Sequence, residues 1–180
     1  MIKVHEDLGS TAFDHLVYER RLRRVNEATE QMISKIYKQS SQWLSEGKIV
    51  GLVGGDQSTA YGHIKAVAEH HDNLGILHID SGLDLRANYH GFNLSSDSVM
   101  HNVLNDIPNV KSFVGVGVRA FSPYEWERAE ADERVKLFTG QYIWTRHFEG
   151  VTWQTMCSEI IAELPENVYV SLDIDGLTIE

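Results

Sequence analysis

Four aspartates carry the clearest chemical signal in the 180-residue sequence: Asp80 and Asp84 in the stretch Asp80-Ser81-Gly82-Leu83-Asp84, and Asp173 and Asp175 in Asp173-Ile174-Asp175-Gly176. Each pair directly follows an apolar run that reads as a β-strand. Side chains alternate along a strand with period two, so Asp173 and Asp175 are expected to point the same way. Carboxylates gathered within a few ångströms cannot all stay ionised unless a cation or a basic side chain offsets their repulsion. A lone Asp in such a place commonly caps a helix or closes a turn, but four of them at strand ends point to a metal. A further turn, Gly54-Gly55-Asp56-Gln57-Ser58, follows an earlier apolar run, and Gln57 could add a weak oxygen ligand. Arg119 ends another run and is expected to pair with a nearby carboxylate. His78, His90 and His101 are assigned hydrogen-bonded structural roles and left out of the ligand set.

The elements that must place these residues follow a regular rhythm. Apolar runs at 49–53, 74–79, 113–118 and 168–174 are non-polar on both faces, as expected for a parallel sheet covered on both sides. Between them lie helix candidates at 59–70, 98–105, 123–133 and 152–164, with Ser122-Pro123 a start signal for the third. A long amphipathic helix over 19–46, stopped by Gly47, precedes the first run. Strands alternating with helices predict a doubly wound, mainly parallel α/β domain with helices on both faces. Ligands of such sheets bind outside the carboxyl ends of the strands, which is where the four aspartates fall. A single domain over residues 1–180 is expected, with no internal repeat or linker.

The motifs also resemble those of the ureohydrolases, the arginase, agmatinase and formimidoylglutamase family. Gly54-Gly55-Asp56-Gln57-Ser58 is similar to the family's Gly-Gly-Asp-His-Ser, and the segment from Asp80 to Asp84 to its Asp-Ala-His-x-Asp. Ser171-Leu172-Asp173-Ile174-Asp175 is similar to Ser-x-Asp-x-Asp, and Gly115-Val116-Gly117-Val118-Arg119 to the strand ending Gly-Ile-Arg. The resemblance implies an arginase-like fold and two manganese ions that activate water to attack the carbon of a guanidine or amidine. It implies that Asp80 and Asp173 bridge both metals, that Asp84 completes the first site, and that Asp175 completes the second. The family's first histidine is Gln57 here, its second is Gly82, and a loop histidine falls on Ser96. The chain reaches Glu180 before the family's later glycine-rich segment, so a fragment or a C-terminally shortened version is expected.

Loss of the imidazoles leaves oxygen donors, so weak or partial occupancy by Mn²⁺ or Mg²⁺ is expected before Zn²⁺. Two readings follow. One is a metal-dependent hydrolase of a linear guanidine or amidine such as agmatine, arginine or formiminoglutamate, whose catalytic residues beyond the metal ligands are unassigned. The other is a catalytically silent relative serving as a binding or regulatory subunit. A phosphatase of the haloacid-dehalogenase type, suggested by Asp173-Ile174-Asp175-Gly176, ranks third because it leaves the other motifs unexplained.

Composition narrows the partners. A net charge of −10 without a concentrated basic patch disfavours nucleic acid and favours a cationic small molecule or metal. No apolar run is long enough to span a bilayer. Residues 1–7 lack the apolar stretch of a secretory signal, and the single Cys157 excludes an internal disulfide, so a cytoplasmic protein is expected. A homo-oligomer is expected by analogy with the family.

Overall fold

The computed structural model describes residues 12–177. The amino-terminal stretch read for a secretory signal and the final Thr178, Ile179 and Glu180 lie outside them. A long first helix, α1 (Ala12–Ser45), ends at Gly47, whose φ of 74° is the left-handed conformation that glycine adopts without strain. Helix α2 (Ala60–Ala68) lies against α1, and the approach is close at Gly62: a Cβ there would stand 2.5 Å from the Ile33 carbonyl oxygen.

The sheet has four strands, β1 (Leu74–Ile79), β2 (Val110–Val116), β3 (Val135–Phe138) and β4 (Asn167–Leu172), in the order β3-β2-β1-β4. All neighbours are parallel. Helices α3 (Val99–Asp106), α4 (Pro123–Ala131), α5 (Gly140–Phe148) and α6 (Trp153–Ala162) connect them. On one face, Leu74, Ile76, Phe113 and Val135 pack with Ile64 of α2, Met100 and Val103 of α3, and Ala129 of α4. On the other, Val114 and Val116 pack with Ile160 of α6, flanked by Leu77, Ile79 and Ile143 of α5. Both faces are therefore covered, in agreement with the doubly wound, mainly parallel expectation.

Three segments differ from the sequence reading. The apolar run 49–53 joins no strand; Ile49 and Val53 are fully exposed. An apolar run becomes a strand only where a neighbour completes its hydrogen-bond ladder, and among the described residues nothing pairs with it. Conversely β3 and α5 escaped the sequence reading, because Val135–Phe138 is only four residues long and interrupted by Lys136.

The chain runs outward from β1 to β2 and β3, then returns to pair β4 with the other side of β1. The direction of winding thus reverses between β1 and β4. In open parallel sheets such a reversal opens a crevice at the carboxyl ends, the common place for a ligand.

Candidate metal centre

The register carries the acidic residues into that crevice. His78 stands opposite Ser171 and Ile79 opposite Leu172. The ladder continues one step further: the Asp173 N–H donates to the Ile79 carbonyl (2.9 Å) and the Asp80 N–H to the Val116 carbonyl (3.2 Å). Asp80 and Asp173 therefore leave adjacent strands side by side. Gly176 turns the chain back against β1 so tightly that a Cβ there would lie 2.8 Å from the Asp80 nitrogen and 2.9 Å from its Cα.

Asp80, Asp84, Asp173, Asp175 and Gln57 all line one cavity of about 600 Å³. Within it, the carboxylates of Asp80, Asp173 and Asp175 can bring oxygens within 4.8 Å of one another, and Asp80 and Asp84 form a second such group with His78. Asp80 is common to both groups, whereas Asp173 belongs to one. The Asp80 Oδ1 accepts the Gly82 N–H (2.7 Å) and Oδ2 accepts the Gln57 amide (3.1 Å). Gln57 turns its carbonyl oxygen toward the Ser171 hydroxyl (3.0 Å), so its nitrogen faces the acidic cluster. Asp173 accepts the Asp175 N–H (3.0 Å), and Asp175 accepts the Ser81 hydroxyl (2.8 Å).

Asp84 is buried, held between the wholly buried Leu83 and Leu85. Its φ of 56° is left-handed, a conformation that stores strain in a residue other than glycine and is typical of functional sites. Its Oδ2 is buried without a hydrogen-bond partner. Burial, followed by the charges of Asp80, Asp97, Glu125 and Asp173, pushes its pKa up to about 9. Burial likewise lifts Asp80 to about 6, opposed by the Gly82 N–H and reinforced by Asp175 and Asp173.

The basic residues at the cavity do not neutralise these four acids. Arg86 binds the buried Glu125 (3.2 Å). Arg119, expected to pair with a carboxylate, instead donates to the backbone carbonyls of Asp175 (2.5 Å) and Gly117 (3.3 Å). It braces the loop after β4 against the loop after β2, since a carbonyl at the loop's turn lies nearer than any carboxylate. The buried Asp80 and Asp84, the latter with an unpartnered oxygen, together with the half-buried Asp173 and the exposed Asp175, make a mutually repelling cluster that a divalent cation satisfies, so the residues present fit a metal.

Sequence reasoning missed Arg86, Asp97 and Glu125, which line the same cavity. Glu125 carried a signal, because Ser122 and Glu125 form a reciprocal capping box at the start of α4. Only the fold shows that the same carboxylate also accepts the Leu85 N–H (3.3 Å). Ser96, in place of the loop histidine, lines the cavity too. The structural roles assigned to the three histidines divide. His101 bonds Asn105 (2.8 Å) and His90 packs on Tyr89, but neither ring nitrogen of His78 has a hydrogen-bond partner.

Comparison with known proteins extends this picture. The family model described as "Arginase family" matches residues 4–180. The chain is 27% identical over 172 residues to an arginase of Bacillus caldovelox, covering 88% of this chain and 55% of that protein. It is 31% identical over 143 residues to an N(1)-aminopropylagmatine ureohydrolase of Thermus thermophilus, covering 79% and 45%. The crystal structure of arginase from Bacillus cereus superposes with a TM-score of 0.64 at 28% identity, covering 87% of this chain and 56% of that one. The chain thus spans about half the length of the curated relatives it matches.

Proposed function

We propose, from the premise that this chain belongs to the arginase family, that it serves the hydrolysis of a C–N bond in a linear guanidine or amidine, with Asp80, Asp84, Asp173 and Asp175 holding a pair of divalent cations. The observation that carries this reading is the convergence of all four carboxylates on one cavity at the reversal of the sheet, with no Lys or Arg side chain bonded to any of those carboxylates among the described residues. Manganese is the cation that the family resemblance implies. When bound, such cations make water a competent nucleophile near neutral pH.

The chain's own residues would do the rest. Asp80, common to both groups of potential ligands, would tie the two cations together. The Ser81 hydroxyl and N–H hold Asp175 in position, and the Asp175 N–H holds Asp173. Asp97 and Glu125 extend the negative lining away from the four aspartates, with Arg86 partly balancing them. A cationic guanidinium or amidinium would be drawn to that lining, as the names of the relatives suggest. The alternative of a silent binding or regulatory subunit draws no support from the comparisons, where the named relatives are enzymes.

The test is release of urea from arginine and agmatine, and of formamide from formiminoglutamate, by the Mn²⁺-loaded chain and by Asp173→Asn. Product release above that of the variant is expected with at least one compound. Equal background from both proteins on all three would overturn the proposal.

A further inference from the structure

We infer that His78 is itself a metal ligand, forming with Asp80 and Asp84 a mixed nitrogen and oxygen site on the inner side of the cavity. This rests on the reading of the carboxyl edge as a metal centre and adds to it a residue outside the four aspartates.

His78 is wholly buried, and both its ring nitrogens lack hydrogen-bond partners. Leaving a buried polar group unsatisfied is costly, and such groups are rare in folded proteins. The ring nevertheless points at acceptors. Its Nε2 stands 3.6 Å from Asp80 Oδ2 and 3.8 Å from Asp84 Oδ2, the same Asp84 oxygen that has no partner. These separations are too long for a hydrogen bond. They are close to the spacing of atoms sharing a cation, since ligands about 2 Å from a tetrahedral metal stand roughly 3.4 Å apart.

Several features favour a cation over a proton between these groups. Strand alternation places His78 and Asp80 on one side of β1, so the shared direction is built into the backbone. The Phe113 ring, with its centroid 5.4 Å away, packs beside the imidazole and limits its rotation toward other partners. Gly82 leaves the cluster open: a Cβ there would stand 3.0 Å from Asp84 Oδ1 and 3.4 Å from Asp80 Oδ1. A set of one imidazole and two carboxylates prefers transition-metal ions over Mg²⁺ and Ca²⁺, unlike the all-oxygen set expected from sequence.

The experiment reads nitrogen coupling on bound Mn²⁺ by electron spin echo spectroscopy. The full chain is stripped with chelator and titrated with Mn²⁺, once with natural isotopes and once with ¹⁵N-labelled histidine. The same series is run on His78→Gln. The expected result is an imidazole ¹⁴N signal that converts to ¹⁵N on labelling and disappears in His78→Gln. Because losing even an outer partner of a ligand weakens metal binding roughly 10–100-fold, the variant's Mn²⁺ affinity should fall at least about tenfold.

Mn²⁺ bound to the natural chain without histidine coupling would overturn the assignment of His78 and leave the acidic metal centre standing. Coupling that persists in a folded His78→Gln would overturn it as well, by pointing to another histidine. Absence of Mn²⁺ binding to the natural chain would overturn both readings. Absence of histidine coupling in the natural chain overturns the assignment without any variant, and if His78→Gln fails to fold, His78→Asn takes its place in deciding whether the coupling belongs to His78.

Discussion

Asp84 concentrates what the sequence could and could not say about individual residues. Its type and its spacing from Asp80 marked it as a candidate, but its left-handed backbone and unpartnered oxygen depend on how Leu83 and Leu85 bury themselves around it. His78 lies in β1, two residues before Asp80, and sequence alone gives no reason to count it as a ligand, because a histidine without geometry is more often hydrogen-bonded than ligating. A pH dependence follows from these two residues and Asp80. An acid whose pKa is raised on folding holds its proton more tightly in the native state, so its contribution to stability is lost as pH rises. Asp84, raised from 3.8 to about 9, loses its contribution across that interval, whereas that of Asp80 is spent by about pH 6. His78, lowered from 6.5 to about 4, acts in the opposite sense, adding stability as pH rises between those values. Above pH 6.5 the Asp84 effect is no longer opposed by His78. Chelator-treated protein is therefore expected to lose stability steadily from pH 6.5 to about 9 in denaturant unfolding, and Asp84→Asn to flatten the slope. A stability that rises over this interval would contradict the assignment.

At the scale of elements, the strands that carry chemistry were the legible ones. The runs ending at Asp80 and Asp173 form β1 and β4 close to their expected limits, because central parallel strands are apolar on both faces and stand out in sequence. The run ending at Gly54 was equally apolar and formed no strand, since pairing is a property of neighbours rather than of the run. Short β3 lacked a signal of its own and depends on its ladder with β2. The tight turn after β4 was hidden too, as glycine at 176 reads in sequence as one more turn residue. In the fold it is what lets Asp173 and Asp175 lie against Asp80. Gly176→Ala is therefore expected to push this turn off β1, costing about 1–3 kcal/mol of stability, the usual range for overpacking. It should also weaken Mn²⁺ binding, because the two carboxylate groups separate. Calorimetric titration and denaturant unfolding read the two effects; a variant unchanged in both would show that the contact is easily relieved.

At the scale of the whole molecule, the sheet is covered by helices on both faces but open along β4. Among the described residues β4 pairs only with β1, and Val168, Val170 and Leu172 are exposed. No helix of the described residues is long and apolar enough to cross a membrane. The overall charge of −10 attracts cations to the molecule as a whole, so a specific metal centre must be distinguished from that diffuse attraction. Screening by salt weakens the diffuse part far more than a buried site. The residues that would hold divalent metal most directly are Asp80 and Asp173, joined at the reversal of the sheet. Equilibrium dialysis against Mn²⁺ in 0.15 M salt, followed by elemental analysis, tests this on three proteins: the natural chain, Asp80→Asn with Asp173→Asn, and a charge-matched control with Glu27→Gln and Glu30→Gln on the exposed face of α1. Stoichiometric manganese is expected in the natural chain and the α1 control, and its loss from the Asp80 and Asp173 variant; equal manganese in all three, or none in the natural chain, would rule out a metal centre on these two aspartates.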